Sequence, residues 1–137
     1  MNTKLYTQVH SLAKGLLNAA ENENDAVFYR QYDELKLICE LNETSNKNHP
    51  VQWETLADFT EDIDDALAYY QKALGLADAI NAHDYIASIH FSMAKFLVEQ
   101  GKIERALDAA ELAELHASKN EDEALKQEIA ELISTLI

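Results

Sequence analysis

Hydrophobic residues recur every three or four positions along nearly the whole chain, which is the spacing of amphipathic helices. Polar turns interrupt this pattern and divide it into seven segments. The predicted helices cover about residues 3–20, 25–41, 50–59, 62–80, 84–100, 103–118 and 120–137. The apolar side of the first helix consists of Leu5, Val9, Leu12, Leu16 and Leu17. The pattern therefore predicts an all-α fold.

Several turns contain residues that favour the start of a helix. Asn48 or His49 is placed to cap the third helix, and Asp62 is placed to cap the fourth. Asn120 followed by Glu123 resembles a capping box, in which the two side chains bond reciprocally to backbone N–H groups. These residues predict where three of the helices begin.

The starts of three helices repeat at a fixed interval. Ala26, Ala66 and Ala106 each lie near the beginning of the second helix of a pair, 40 residues apart. A small side chain there is expected to let two helices approach closely. Because one helical hairpin cannot bury both of its faces, about three must stack to form a continuous core. The repeat predicts one domain over 1–137, with hairpin units at about 3–42, 49–81 and 84–118 and a capping helix at about 120–137.

The second and third units resemble a known helical repeat. Trp53, Leu56 and Ala57 are similar to the Trp-x-x-Leu-Gly signature of the tetratricopeptide repeat, and the run 66–74 fits its second helix. The third unit is similar to the same template at 93–97, Gly101 and 106–110. The resemblance implies a short right-handed solenoid of helical hairpins that binds peptides in a concave groove.

The chain also departs from the tetratricopeptide pattern. Its repeat is 40 residues long, whereas the family repeat has about 34. Trp53 and Ala66 are closer together than in the family, which predicts a shorter first helix or turn. The first unit keeps only the Ala26 position and a general amphipathic pattern. A HEAT-like or armadillo-like array, with a period of about 40–47 residues, is the alternative fold.

The chain is strongly acidic. Its 137 residues include 25 Asp and Glu against 11 Lys and Arg, which gives a net charge of −14. Binding to nucleic acid or to an anionic membrane depends on clustered cations, so neither is expected. No apolar run approaches the ~18 residues of a membrane span, and the first helix lacks the apolar core of a signal peptide. We therefore expect a cytoplasmic protein in which the lone Cys39 is buried and unreactive.

Motifs for catalysis and cofactor binding are scarce. The three glycines are far apart, which leaves no phosphate-binding loop, and a single cysteine excludes a thiolate cluster for zinc. His90 and His116 could approach each other and hold a metal, but ordinary packing of two histidines is the favoured interpretation. We expect no enzyme activity, no catalytic residue, no cofactor and no bound metal.

Acidic residues concentrate on the third helix and in the turn that follows it. A continuous helix would place one partner-binding face at Glu54, Asp58, Glu61 and Asp62. No Lys or Arg occurs between Lys47 and Lys72 to neutralise these carboxylates. In the resembled family the first helix of each pair lines the groove, which implies a contribution from Phe91, Lys95 and Val98 on the fifth helix. The alternative is that the acidic stripe is a solvated face that serves solubility.

These observations predict a non-catalytic interaction module. Its partner would be a protein or peptide, and a basic one, because an acidic wall attracts cations over a distance. One alternative is an immunity-like or antitoxin-like inhibitor that masks a cationic effector. Another is a self-assembling structural protein that forms a homodimer through its C-terminal helix.

Overall fold

The computed structural model describes residues 3–137, and this part of the chain folds into seven α-helices without a β-strand. The helices are α1 (Thr3–Glu21), α2 (Asp25–Asn42), α3 (Pro50–Asp58), α4 (Ile63–Ala79), α5 (His83–Glu99), α6 (Ile103–Ala117) and α7 (Glu123–Leu136). The predicted all-α class and the number of helices are confirmed. None of the described helices is long and apolar enough to cross a bilayer.

Side-chain caps fix the start of several helices. His49 caps α3 and Asp62 caps α4, each by accepting a backbone N–H of the first turn. The predicted cap of α7 is wrong, because the side chain that accepts the Leu125 N–H, at 3.0 Å, belongs to Asp122. A capping side chain must immediately precede its helix to reach these donors. Asn120 instead accepts the N–H of Asp122 and shapes the turn before the cap.

Most helix–helix contacts join neighbours in the chain. α1 packs on α2, α3 on α4, α5 on α6, and α7 on α6. Contacts between successive pairs run from α2 to α3 and from α4 to α5, and α3 also contacts both α1 and α5. The short α3 therefore lies between the first and third pairs. Its nine residues confirm the expected shortening, since α1 has 19 and α5 has 17.

The core follows the repeat in the second and third pairs. Ala66 and Ala106 are completely buried, so small residues lie where these paired helices meet. Trp53 and Tyr70 fill the adjoining space and are 2% and 1% exposed. Cys39 is buried as expected, and burial raises the pKa of its thiol to about 12, which keeps it protonated and unreactive.

The first pair departs from the repeat. Ala26 is exposed, and Leu17, expected on the apolar side of α1, is 54% exposed. A side chain of α2 lies instead against Gly15 of α1, where an added Cβ would lie 2.5 Å from the Gln31 side chain. The 40-residue period therefore predicts packing in the second and third pairs and fails in the first.

The apolar side of α7 packs against the rest of the chain. Ile129 is 1% exposed and lies in a cluster with Ala87, Phe91, Ala113 and Ala117. Partly buried residues of α7 extend this contact, namely Leu125, Leu132, Ile133 and Leu136. The seam that could have paired two copies of the chain is thus largely occupied within one copy.

Candidate functional site

The four acidic residues predicted to share one helical face are divided between two surfaces. α3 ends at Asp58, and the chain then leaves the helical path through Phe59. Glu61 and Asp62 consequently lie in the turn before α4, where an oxygen of Asp62 is engaged as the helix cap. Helical spacing applies only within a continuous helix, so Glu54 and Asp58 form one group and the turn residues another.

Glu54 links α3 to α5 through two hydrogen bonds. Its Oε2 accepts the hydroxyl of Ser92 at 2.9 Å and that of Ser88 at 3.1 Å. Burial raises the pKa of the Glu54 carboxyl, although the two hydroxyl donors and the charge of Lys95 oppose this shift. The predicted site residue is therefore also an interhelical contact.

Asp58 occupies the end of α3 beside Glu54. Its Oδ1 accepts the Tyr70 hydroxyl at 2.5 Å. The residue is exposed, but desolvation of its carboxyl end raises the pKa of Asp58 to about 7. The neighbouring charge of Glu54 contributes to this raised value, whereas the hydrogen bond from Tyr70 and the charge of Lys95 oppose it. The two carboxylates on α3 thus lie in one electrostatic environment, which we call the α3 carboxylate pair.

The fifth helix contributes differently from expectation. Phe91 is only 7% exposed and belongs to the core under α7, so it is not an accessible aromatic anchor. Lys95 is exposed, and its Nζ lies 4.5 Å from the Phe91 ring centroid. Val98 is half-buried against the main core. On α5, Ser88 and Ser92 instead donate hydrogen bonds to Glu54 of the α3 carboxylate pair.

Sequence reasoning missed these serines, although a signal for them was present. Ser88, Ser92 and Lys95 recur at helical spacing on a helix that is otherwise mostly apolar. Such a polar line on an apolar helix indicates either solvent or a polar partner on that side. Here the partner is the carboxylate of Glu54.

A second acidic surface adjoins the turn between α3 and α4. The Tyr29 hydroxyl donates to Glu61 at 2.6 Å, and the hydroxyls of Tyr32 and Thr60 share a hydrogen bond of 2.8 Å. The hydrogen bond from Tyr29 and the charge of Glu61 raise the pKa of the Tyr29 phenol. We call the adjoining cavity of about 180 Å³ the aromatic–acidic cleft; it is lined by Phe28, Tyr29, Tyr32, Phe59, Thr60, Glu61, Asp62 and Asp65.

Three histidines meet between α5 and α6. The Nδ1 atoms of His83 and His116 are 3.2 Å apart, and the rings of His90 and His116 stack at 6.0 Å. The sequence predicted the approach of His90 and His116 but missed His83. Burial, with a smaller contribution from the charge of His116, lowers the pKa of His90 to about 4. Within residues 3–137, no group of three or more His, Cys, Asp or Glu side chains is arranged to hold a metal ion.

Comparisons with family models, with curated proteins and with solved structures gave no match to this chain.

Proposed function

We propose that this chain is a non-catalytic interaction module, a short tetratricopeptide-like solenoid that binds a basic segment of a protein or peptide. Two features support the solenoid. The contacts run from each helical pair to the next one in the chain, and the buried Ala66 and Ala106 occupy equivalent positions in two successive pairs. A HEAT-like or armadillo-like arrangement of the same helices is the alternative fold.

The α3 carboxylate pair is the observation that carries the binding proposal. Glu54 and Asp58 lie together on the surface between α3 and α5, and the pKa of each is raised. A raised pKa means that the ionised form is disfavoured where it stands. A cation from a partner would stabilise that ionised form, so binding a basic group is favoured there. Lys95 supplies part of this compensation.

The charge of the whole chain supports the same kind of partner. A net charge of −14 attracts cationic molecules before contact and speeds their association. An immunity-like or antitoxin-like inhibitor would use this surface in the same way, with a cationic effector as the partner. A self-assembling protein would need another surface, because α7 packs on α5 and α6.

The test compares two variants that lose the same charge. Glu54→Gln with Asp58→Asn neutralises the α3 carboxylate pair and keeps its hydrogen-bond acceptors. Glu104→Gln with Asp108→Asn neutralises an exposed pair with the same spacing on α6. Binding is measured to arrays of short peptides, rich in Lys and Arg or neutral, at low and high salt.

We expect the parent protein to select basic peptides and to bind them less tightly as salt rises. The α3 variant should lose about tenfold in affinity, whereas the α6 control should change little, as removal of a close charge pair costs more than a change in overall charge. Equal losses in the two variants, or selection of neutral peptides, would contradict the proposal.

A further inference from the structure

The aromatic–acidic cleft presents several aromatic rings beside a solvent-accessible opening. The Phe28 and Tyr32 rings are nearly parallel, with centroids 6.5 Å apart, and Phe59 meets Phe28 edge-on at 6.3 Å. Tyr29 stands at the rim and is 48% exposed. Four aromatic rings therefore line the cleft, and aromatic rings attract cations.

Carboxylates form the other side of the cleft. Glu61, Asp62 and Asp65 all line it, and no basic side chain among residues 3–137 forms an ion pair with any of them. Asp62 uses one oxygen to cap α4, and Glu61 accepts the Tyr29 hydroxyl. Lys36 interacts electrostatically with Tyr32 and Asp65, but it is not one of the residues that line the cleft.

Elsewhere in the chain, a lysine side chain is held between an aromatic ring and a carboxylate. Lys72 lies 4.4 Å from the Trp53 ring centroid and pairs with Glu43. Its ammonium group is thus held by a π face and a carboxylate together. In the described part of the chain, no Lys or Arg lies over any of the four rings of the aromatic–acidic cleft.

We propose that the aromatic–acidic cleft binds the guanidinium group of an arginine side chain from a basic partner. A guanidinium is planar, so it stacks on aromatic faces and donates paired hydrogen bonds to carboxylates, whereas an ammonium group does neither as well. The cavity of about 180 Å³ is smaller than the ~300–1,000 Å³ of typical small-molecule sites, and this size suits one side chain. Arginine thus matches the rings, the carboxylates and the space.

This inference rests on the proposed function, because the arginine would belong to the same basic partner. It adds a second contact point, on the turn between α3 and α4, whose lining does not include Glu54 or Asp58. The two contacts make separate predictions. The α3 carboxylate pair is proposed to attract basic segments in general, whereas the aromatic–acidic cleft is proposed to recognise an arginine side chain.

The test titrates the ¹⁵N-labelled full chain with the acetylated, amidated tripeptide Gly-Arg-Gly and follows amide chemical shifts. The same tripeptide with citrulline in place of arginine is the ligand control, because citrulline has nearly the same shape and no charge. We expect saturable shifts at Tyr29, Tyr32, Thr60 and Glu61 with the arginine peptide. The citrulline peptide should bind at least about fivefold more weakly.

Variants locate the binding within the cleft. Glu61→Gln with Asp65→Asn removes two carboxylates, and Tyr29→Leu removes the exposed ring. Each of these variants should bind the arginine peptide several-fold more weakly than the parent protein. Glu104→Gln with Asp108→Asn, which removes equal charge from α6, should not. Circular dichroism establishes that each variant retains its helices. Because Tyr29 is exposed, Tyr29→Leu is expected to leave the fold intact.

Shifts of equal size with citrulline, or shifts confined to α3 and α5, would overturn the assignment of the cleft. This outcome is distinct from failure of the proposed function. The tripeptide experiment needs no natural partner and leaves Glu54 and Asp58 unaltered. If the cleft binds arginine but neutralising Glu54 and Asp58 leaves selection of basic peptides unchanged, the inference stands and the α3 carboxylate pair is not the binding surface.

Discussion

The Tyr70 hydroxyl donates a 2.5 Å hydrogen bond to the Asp58 carboxylate and so ties the middle of α4 to the last residue of α3. Tyr70 is 1% exposed, and its ring packs edge-on against Phe96 at 5.9 Å. A core residue is thereby connected directly to the acidic surface. Burial and the charge of Asp58 raise the pKa of the Tyr70 phenol, so it remains the donor of this bond.

Tyr70→Phe should therefore change both stability and titration. Above the pKa of Asp58 the acceptor is ionised, and loss of a hydrogen bond to a charged group costs about 1–3 kcal/mol. The pKa of Asp58 should also rise, because the Tyr70 bond lowers it in the parent protein. Urea unfolding measures the free energy of unfolding, and carboxyl ¹³C shifts give the pKa. An unchanged pKa would mean that the hydrogen bond is not formed in solution.

Asp58→Asn should stabilise the fold at alkaline pH and leave it unchanged at acid pH. The folded chain protonates Asp58 at about pH 7, whereas the unfolded chain does so near the ordinary aspartate pKa of 3.8. Folding therefore favours the protonated form, and its contribution is lost as the pH rises through 7. Because the residue is exposed, solvent screening reduces the expected gain at about pH 8 to about 1 kcal/mol.

The measurement for this change is urea unfolding of the parent and variant at several pH values. The two proteins should have equal free energies of unfolding near the pKa of an ordinary aspartate and diverge above it. A variant that is less stable at every pH would show that the carboxylate is favourable where it stands.

The three alanines of the repeat should respond differently to enlargement. Ala66 and Ala106 are fully buried, so replacing either with Leu overfills the contact between paired helices and costs about 1–3 kcal/mol. Ala26 is exposed, and Ala26→Leu should change stability by less than about 0.5 kcal/mol. Leu and Ala have similar helix propensities, so the comparison isolates packing. Equal losses in the free energy of unfolding at all three sites would mean that Ala26 packs between helices as Ala66 and Ala106 do.

Local chemistry made much of this fold predictable from the sequence. Asp62 follows a simple rule, since a short polar side chain before an apolar helical segment caps it. Trp53, Ala66 and Ala106 were identified as interior residues because two units repeat the same pattern. Each of these predictions depends on residues within one helix or one hairpin.

One error arose at the local end of a helix, and another arose from contacts between distant residues. Phe59 continues the apolar spacing of α3, but the helix stops one residue before it, and Thr60 bonds back to the Leu56 carbonyl at 2.7 Å. That stop separates the acidic residues into two surfaces. Phe91 is buried through a cluster that includes Ile129 of α7, and no helical period within α5 contains this information.

His90→Phe should make the protein more resistant to acid. The ring of His90 stacks on His116, which also stacks on His83 and is influenced by the charges of Lys119 and Asp78. The Nδ1 of His90 is buried without a hydrogen-bond partner. Burial lowers the pKa of His90 from 6.5 to about 4, so between these values the unfolded chain binds a proton that the folded chain does not. Lowering the pH from about 7.5 to 4.5 should therefore cost the parent about 2–3 kcal/mol at this residue. Phe keeps an aromatic ring on His116 and removes the group that titrates. In urea unfolding of the two proteins, the free energy of unfolding of the variant should therefore fall less over that pH range than that of the parent. Parallel pH profiles for the two proteins would show that His90 is not the source of the loss of stability in acid.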